Sequence, residues 1–134
     1  MKSKPGVNAD TRPTKQLTVF VDGAGMRPDG TNSRIAWLQL ESGRKLVKRI
    51  DGLTNNQAEY RALRSAVKNA PIGSHLKIYS DSQLVVQQFN QRWSVKDPQL
   101  DDLLFEVCDA IQARELQVSL DWIPRAENLA GKLL

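Results

Sequence analysis

Residues 55–81, NNQAEYRALRSAVKNAPIGSHLKIYSD, change period twice. Ala58, Ala62, Leu63, Ala66 and Val67 recur at helical spacing through residue 69, and Ala70-Pro71 stops the pattern. Leu76, Lys77, Ile78 and Tyr79 then alternate as a short strand that runs into Asp81. Upstream lie three strand-like runs. Leu17, Val19 and Val21 alternate with Thr18 and Phe20 and stop at Asp22-Gly23, and a loop rich in Gly, Pro, Asp and Asn covers 23–32. Residues 35–40 and 45–50 are joined by a turn at 41–43, so these runs predict an antiparallel meander. Downstream, 82–90 reads as a short helix and 98–114 as a strongly amphipathic one opened by Asp97-Pro98. Residues 116–122 read as a strand and 126–134 as a last short helix. Hairpins first and β-α alternation later predict an α/β fold: a five-stranded mixed sheet flanked by helices.

The chain has 134 residues, 40% hydrophobic and 25% charged, which argues for one globular domain and against wholesale disorder. Residues 1–15 offer almost nothing to bury and are expected to form a flexible tail, leaving 16–134 as the domain. No apolar run approaches a membrane span, and no apolar leader opens the chain. Cys108 and His75 are each the sole residue of their type, which excludes an internal disulfide, a cysteine zinc site and a histidine-rich metal site. A cytoplasmic monomer is the expectation. Nineteen Lys and Arg against fifteen Asp and Glu leave a formal charge of +4, a mild bias toward anionic partners such as nucleic acid.

Three acids fall at element ends. Asp22 closes the first strand, Asp81 closes the fourth, and Glu59 sits early on the first long helix. Singly, each has an ordinary reading: a turn, a helix start, a favourable charge near a helix N-terminus. Strand ends of a mixed sheet converge on one edge, however, and a helix following the hairpins can lay its first turns across that edge. Three carboxylates gathered there repel one another unless a hard divalent cation with oxygen ligands binds them. Phosphoryl chemistry is the natural use of such a centre.

Four blocks, in order, resemble type 1 ribonuclease H (RNase HI): Val19-Phe-Val-Asp-Gly-Ala24, Thr54-Asn-Asn-Gln-Ala-Glu-Tyr60, Tyr79-Ser-Asp-Ser-Gln-Leu-Val-Val86, and Trp122-Ile-Pro-Arg125 with Asn128. The archaeal-like branch is the most similar, because Trp93-Ser-Val-Lys-Asp-Pro98 stands where other members carry a basic protrusion. The resemblance implies an RNase H-like fold and an endoribonuclease. It would cleave the RNA strand of RNA–DNA hybrids, leaving 5′-phosphate and 3′-hydroxyl ends. Asp22, Glu59 and Asp81 would be the catalytic ligands of Mg2+ or Mn2+, with the Asn128 carbonyl oxygen as a further ligand. Asn55, Asn56 and Gln57 would line the RNA side, Gln83 would approach the hybrid, and Arg125 would meet phosphate and assist product release. Amide side chains both donate and accept, as a 2′-hydroxyl requires. The backbone N–H groups after Asp81 would face the same edge.

Three departures stand out. The family's fourth carboxylate, four residues after the asparagine of the last block, falls on Lys132, and an ammonium cannot ligate a metal. The resemblance therefore leaves an alternative, a weakened or inactive hybrid-binding domain, and predicts that Lys132→Asp raises activity if the lysine is a degraded ligand position. The family's usual Gly-Asn-Pro-Gly run is missing from 25–33. Its catalytic histidine has no counterpart either, since His75 opens a strand outside every matched block.

Overall fold

The computed structural model describes residues 15–134. Five strands, β1 (Gln16–Ala24), β2 (Arg34–Gln39), β3 (Lys45–Arg49), β4 (His75–Ser80) and β5 (Gln117–Trp122), form one sheet in the order β3-β2-β1-β4-β5. The β1–β2 and β2–β3 pairs are antiparallel, while β1–β4 and β4–β5 are parallel. Three helices accompany the sheet: α1 (Asn55–Lys68), α2 (Gln83–Phe89) and α3 (Pro98–Ala113).

Local chemistry sets these boundaries. Thr54 caps α1 in a reciprocal box: its hydroxyl accepts from Gln57 N–H, and the Gln57 side chain accepts from Thr54 N–H. Asp97 caps α3 ahead of Pro98. The helix α1 packs over β1 and β2, and α3 packs on α1. Leu17, Val19, Val21, Ile78 and Leu120 of the sheet meet Ala58, Leu63, Ala66 and Val67 of α1 and Val107 of α3 in a closed core. Alanines along α1 let the helix lie low on the sheet. The Tyr60 hydroxyl donates to Gln88 Oε1 at 2.7 Å, and Gln88 Nε2 donates to Ser94 O, which ties α1, α2 and the loop after α2 together.

Two expectations change. First, β1 does not stop at Asp22 but runs on to Ala24, with Asp22 paired to Ala36. Second, 126–134 is not a helix. It forms two 3-10 turns, Arg125–Glu127 and Gly131–Leu133. Between them the Asn128 carbonyl oxygen accepts from Ala130 N–H at 3.1 Å, a local side-chain bond that competes with helical pairing. The expected tail falls outside the described residues, apart from Lys15, whose carbonyl accepts from His75 N–H at 2.7 Å. Among the described residues no helix is long and apolar enough to cross a membrane.

Candidate active site

The parallel pairing of β1 with β4 builds the site. Its register sets Phe20 opposite Tyr79, so two residues further on Asp22 comes beside Asp81 at the carboxyl ends of adjacent strands. The third acid arrives on α1, which crosses this edge over Gly23. A methyl group added at Gly23 would lie 2.6 Å from Glu59 N, so only glycine admits the helix here. That close approach lets Glu59 Oε1 accept from Gly23 N–H at 2.8 Å. Carboxylate oxygens of Asp22, Glu59 and Asp81 come within 4.8 Å of one another. Such a set of hard oxygen donors suits a divalent cation.

Electrostatics follow from the packing. Glu59 is held well above the usual carboxylate range, at about 9, first by burial and then by the charges of Asp22 and Asp81. Asp22 is also raised, by burial and by Asp81, although Gly23 N–H and Arg125 pull the other way. Without a cation the folded chain therefore binds a proton that the unfolded chain releases above its ordinary value of 4.5. The sign is fixed: this group's contribution to stability falls as pH rises from about 4.5 toward about 9. Glu59→Gln keeps the shape and removes the charge. In metal-free buffer at pH 8 it is expected to raise the melting temperature by about 3–10 °C and to flatten the pH dependence. A divalent cation should stabilise the wild type and have little effect on the variant. Thermal melts across pH, with and without cation, test both statements.

A cavity of about 700 Å³ opens in front of the acids, and its walls include Asn55, Arg125, Asn128, Gly131 and Lys132. Asn128 is buried. Its amide NH2 donates to Val21 O at 2.9 Å and to Asp81 Oδ2 at 3.2 Å, and its oxygen is taken by Ala130. It orients Asp81, and its oxygen, which was expected to face a metal, accepts from Ala130 N–H. Asn55 accepts from Gly25 N–H at 2.8 Å and leaves its NH2 to donate. Gln57 accepts from Thr54 N–H in the α1 cap and donates to Gln99, and it lies outside the lining of this cavity. Asn56 and Gln83 are exposed and outside the cavity lining. The N–H groups of Ser82 and Val85 donate to Ser80 Oγ and Ser82 Oγ, so these two amides serve their own turn and not the acidic edge. His75 lies at the opposite, amino end of β4.

Three contributors escape notice in the sequence. Gly23 and Gly131 permit close approach, the latter because an added methyl would sit 2.8 Å from Asp22 Oδ2. Trp122 Nε1 donates to Asp81 O at 3.1 Å and holds the turn after β4. The dipeptide Asp22-Gly23 looks like any turn, and nothing in a linear pattern marks a tryptophan for that carbonyl.

The RNase H family model matches residues 14–129. Ribonuclease HI of Halobacterium salinarum is 32% identical over 124 residues, 84% of this chain and 59% of that protein. A crystal structure of RNase H1 from the same organism superposes with a TM-score of 0.77 at 25% identity, covering 89% of this chain and 93% of that one. The bifunctional protein Rv2228c of Mycobacterium tuberculosis is 38% identical over 77 residues, 56% of this chain and only 21% of its own length. LC11-RNase H1, solved in complex with an RNA/DNA hybrid, shares the fold at a TM-score of 0.74 and 24% identity, over 88% of this chain and 92% of that one. Matched over most of its length and carrying the three-acid centre on this sheet, the chain belongs to the ribonuclease H family as a type 1 member.

Proposed function

We propose that the protein is an endoribonuclease that hydrolyses the RNA strand of RNA–DNA hybrids. The observation that carries this reading is the convergence of Asp22, Glu59 and Asp81, close enough to repel one another, beside an open cavity whose facing wall carries Arg125 and Lys132. The net reaction is balanced by one water: its oxygen joins phosphorus, the P–O3′ bond breaks, and a 3′-hydroxyl and a 5′-phosphate result.

The three carboxylates would hold Mg2+ or Mn2+. When bound, that ion polarises the phosphoryl oxygens and makes water more acidic. The chain's own residues do the rest. Asn128 and Trp122 fix Asp81 from behind. Gly23 N–H holds the Glu59 oxygen. Arg125, exposed at the cavity wall, can take a phosphate oxygen, and an Arg–phosphate contact is strong and directional. The free NH2 of Asn55 and the exposed amide of Asn56 suit the 2′-hydroxyls that distinguish RNA from DNA. Base identity is not read by such contacts, so cleavage should be nearly independent of sequence.

A labelled hybrid, duplex DNA and single-stranded RNA, each incubated with Mg2+ or Mn2+, test the reading. Cleavage of the RNA strand in the hybrid alone is expected, with affinity falling linearly on a log–log salt plot. Cleavage of another substrate in preference to hybrid overturns the substrate assignment. Tight hybrid binding with no cleavage under either metal would leave the non-catalytic binding domain as the better account.

A further inference from the structure

We propose that Lys132 supplies a fixed second positive charge at the scissile phosphate, so that the pocket takes one divalent ion per chain. This rests on the hybrid-hydrolase reading and specifies how its site is charged.

The cavity is lopsided. All its side-chain carboxylates lie on one side, contributed by β1 and α1, with Asp81 behind them. The other side is made by residues 125–134, and the charged side chains it presents are Arg125 and Lys132. A second hard cation there would need oxygen ligands. No side-chain carboxylate lines this wall, and the Asn128 side-chain oxygen accepts from Ala130 N–H. A second divalent ion would also sit beside two fixed positive charges.

The placement of Lys132 is set by its neighbour. Gly131 runs so close to Asp22 that an added methyl would be 2.8 Å from Oδ2. Lys132 is the next residue along the chain and lines the same cavity as Asp22 and Glu59. Lys132 is exposed, and the ion pairs among the described residues are Arg49–Asp51 and Arg64–Glu106. Its ammonium is thus not spent on neutralising the acids. Phosphoryl transfer calls for positive charge on both sides of the phosphate, where oxygens gain charge as the reaction proceeds. A lysine ammonium is a compact point charge that can serve there, opposite the ion held by the acids.

The test counts ions and measures rates on the full chain. Mn2+ titration followed by electron paramagnetic resonance, without nucleic acid, should give one ion per wild-type chain and two per Lys132→Asp chain. Lys132→Met should still bind one Mn2+, yet lose about 10–100-fold in kcat on the hybrid with KM changed less than about threefold. Lys132→Arg should recover most of that loss. Two ions in the wild type, or an unchanged kcat in Lys132→Met, overturns the proposal. So does a Lys132→Asp chain that is faster while Lys132→Met matches wild type, since the lysine would then merely occupy a vacated ligand position. A wild type that cleaves no hybrid sinks the parent reading and this one together; a wild type that cleaves while Lys132→Met is unaffected sinks this one alone.

Discussion

Asp22→Asn is expected to lower hybrid cleavage by about a thousandfold or more while hybrid affinity stays within about threefold. The substitution is nearly isosteric. The amide oxygen can still accept from Gly23 N–H, which now lies 2.9 Å from Asp22 Oδ1. What disappears is one of three charges that make the centre attractive to a cation. Affinity for the hybrid comes mainly from phosphate contacts spread over the surface, so binding and turnover should separate cleanly. Cleavage rates under single-turnover conditions and filter binding at matched salt measure the two. The variant should also be at least as stable as wild type without cation, because it relieves the repulsion that raises Glu59. A rate within about tenfold of wild type would show that the three acids are not the reaction centre.

Gly23→Ala should carry a large stability loss. The new carbon would collide with backbone atoms of Ala58 and Glu59, which cannot rotate aside as a side chain could. Either α1 lifts from β1 or the strand end buckles. Overpacking of this kind costs about 3 kcal/mol, roughly 10 °C in melting temperature. Lifting α1 would also carry Glu59 away from Asp22, so cation-dependent stabilisation should vanish with it. Calorimetric melts with and without divalent cation measure both losses. A melting temperature within about 2 °C of wild type would mean that the helix does not press on this residue as described.

Much of the architecture could be read from periodicity. The first strand alternates cleanly, and the Ala58–Val67 stripe reads as a helix packed on a core. These patterns are legible because burial of one face imposes them on the chain. The meeting of Asp22, Glu59 and Asp81 was inferable from topology, as parallel strands bring their carboxyl ends together. The fate of the amides was not. Asn55, Gln57 and Asn128 are chemically interchangeable on paper, yet one faces the cavity, one closes a helix cap and one is buried against Asp81. An amide can satisfy backbone, carboxylate or substrate equally well, and only three-dimensional neighbours decide which. The last segment failed as a helix for a related reason: Asn128 satisfies its own local N–H and diverts the backbone.

The central β1–β4 pairing joins stretches about sixty positions apart, with two hairpins and a helix threaded between them. Such non-local closure is slow, because the chain must surrender loop entropy before the contact repays it. Affinity for a divalent ion therefore arises only when folding is nearly complete. Early intermediates holding the meander alone would compete poorly for the ion. An ion present at a hundred times its dissociation constant would add about 2.7 kcal/mol to the finished molecule, acting as a late lock and not as a nucleus.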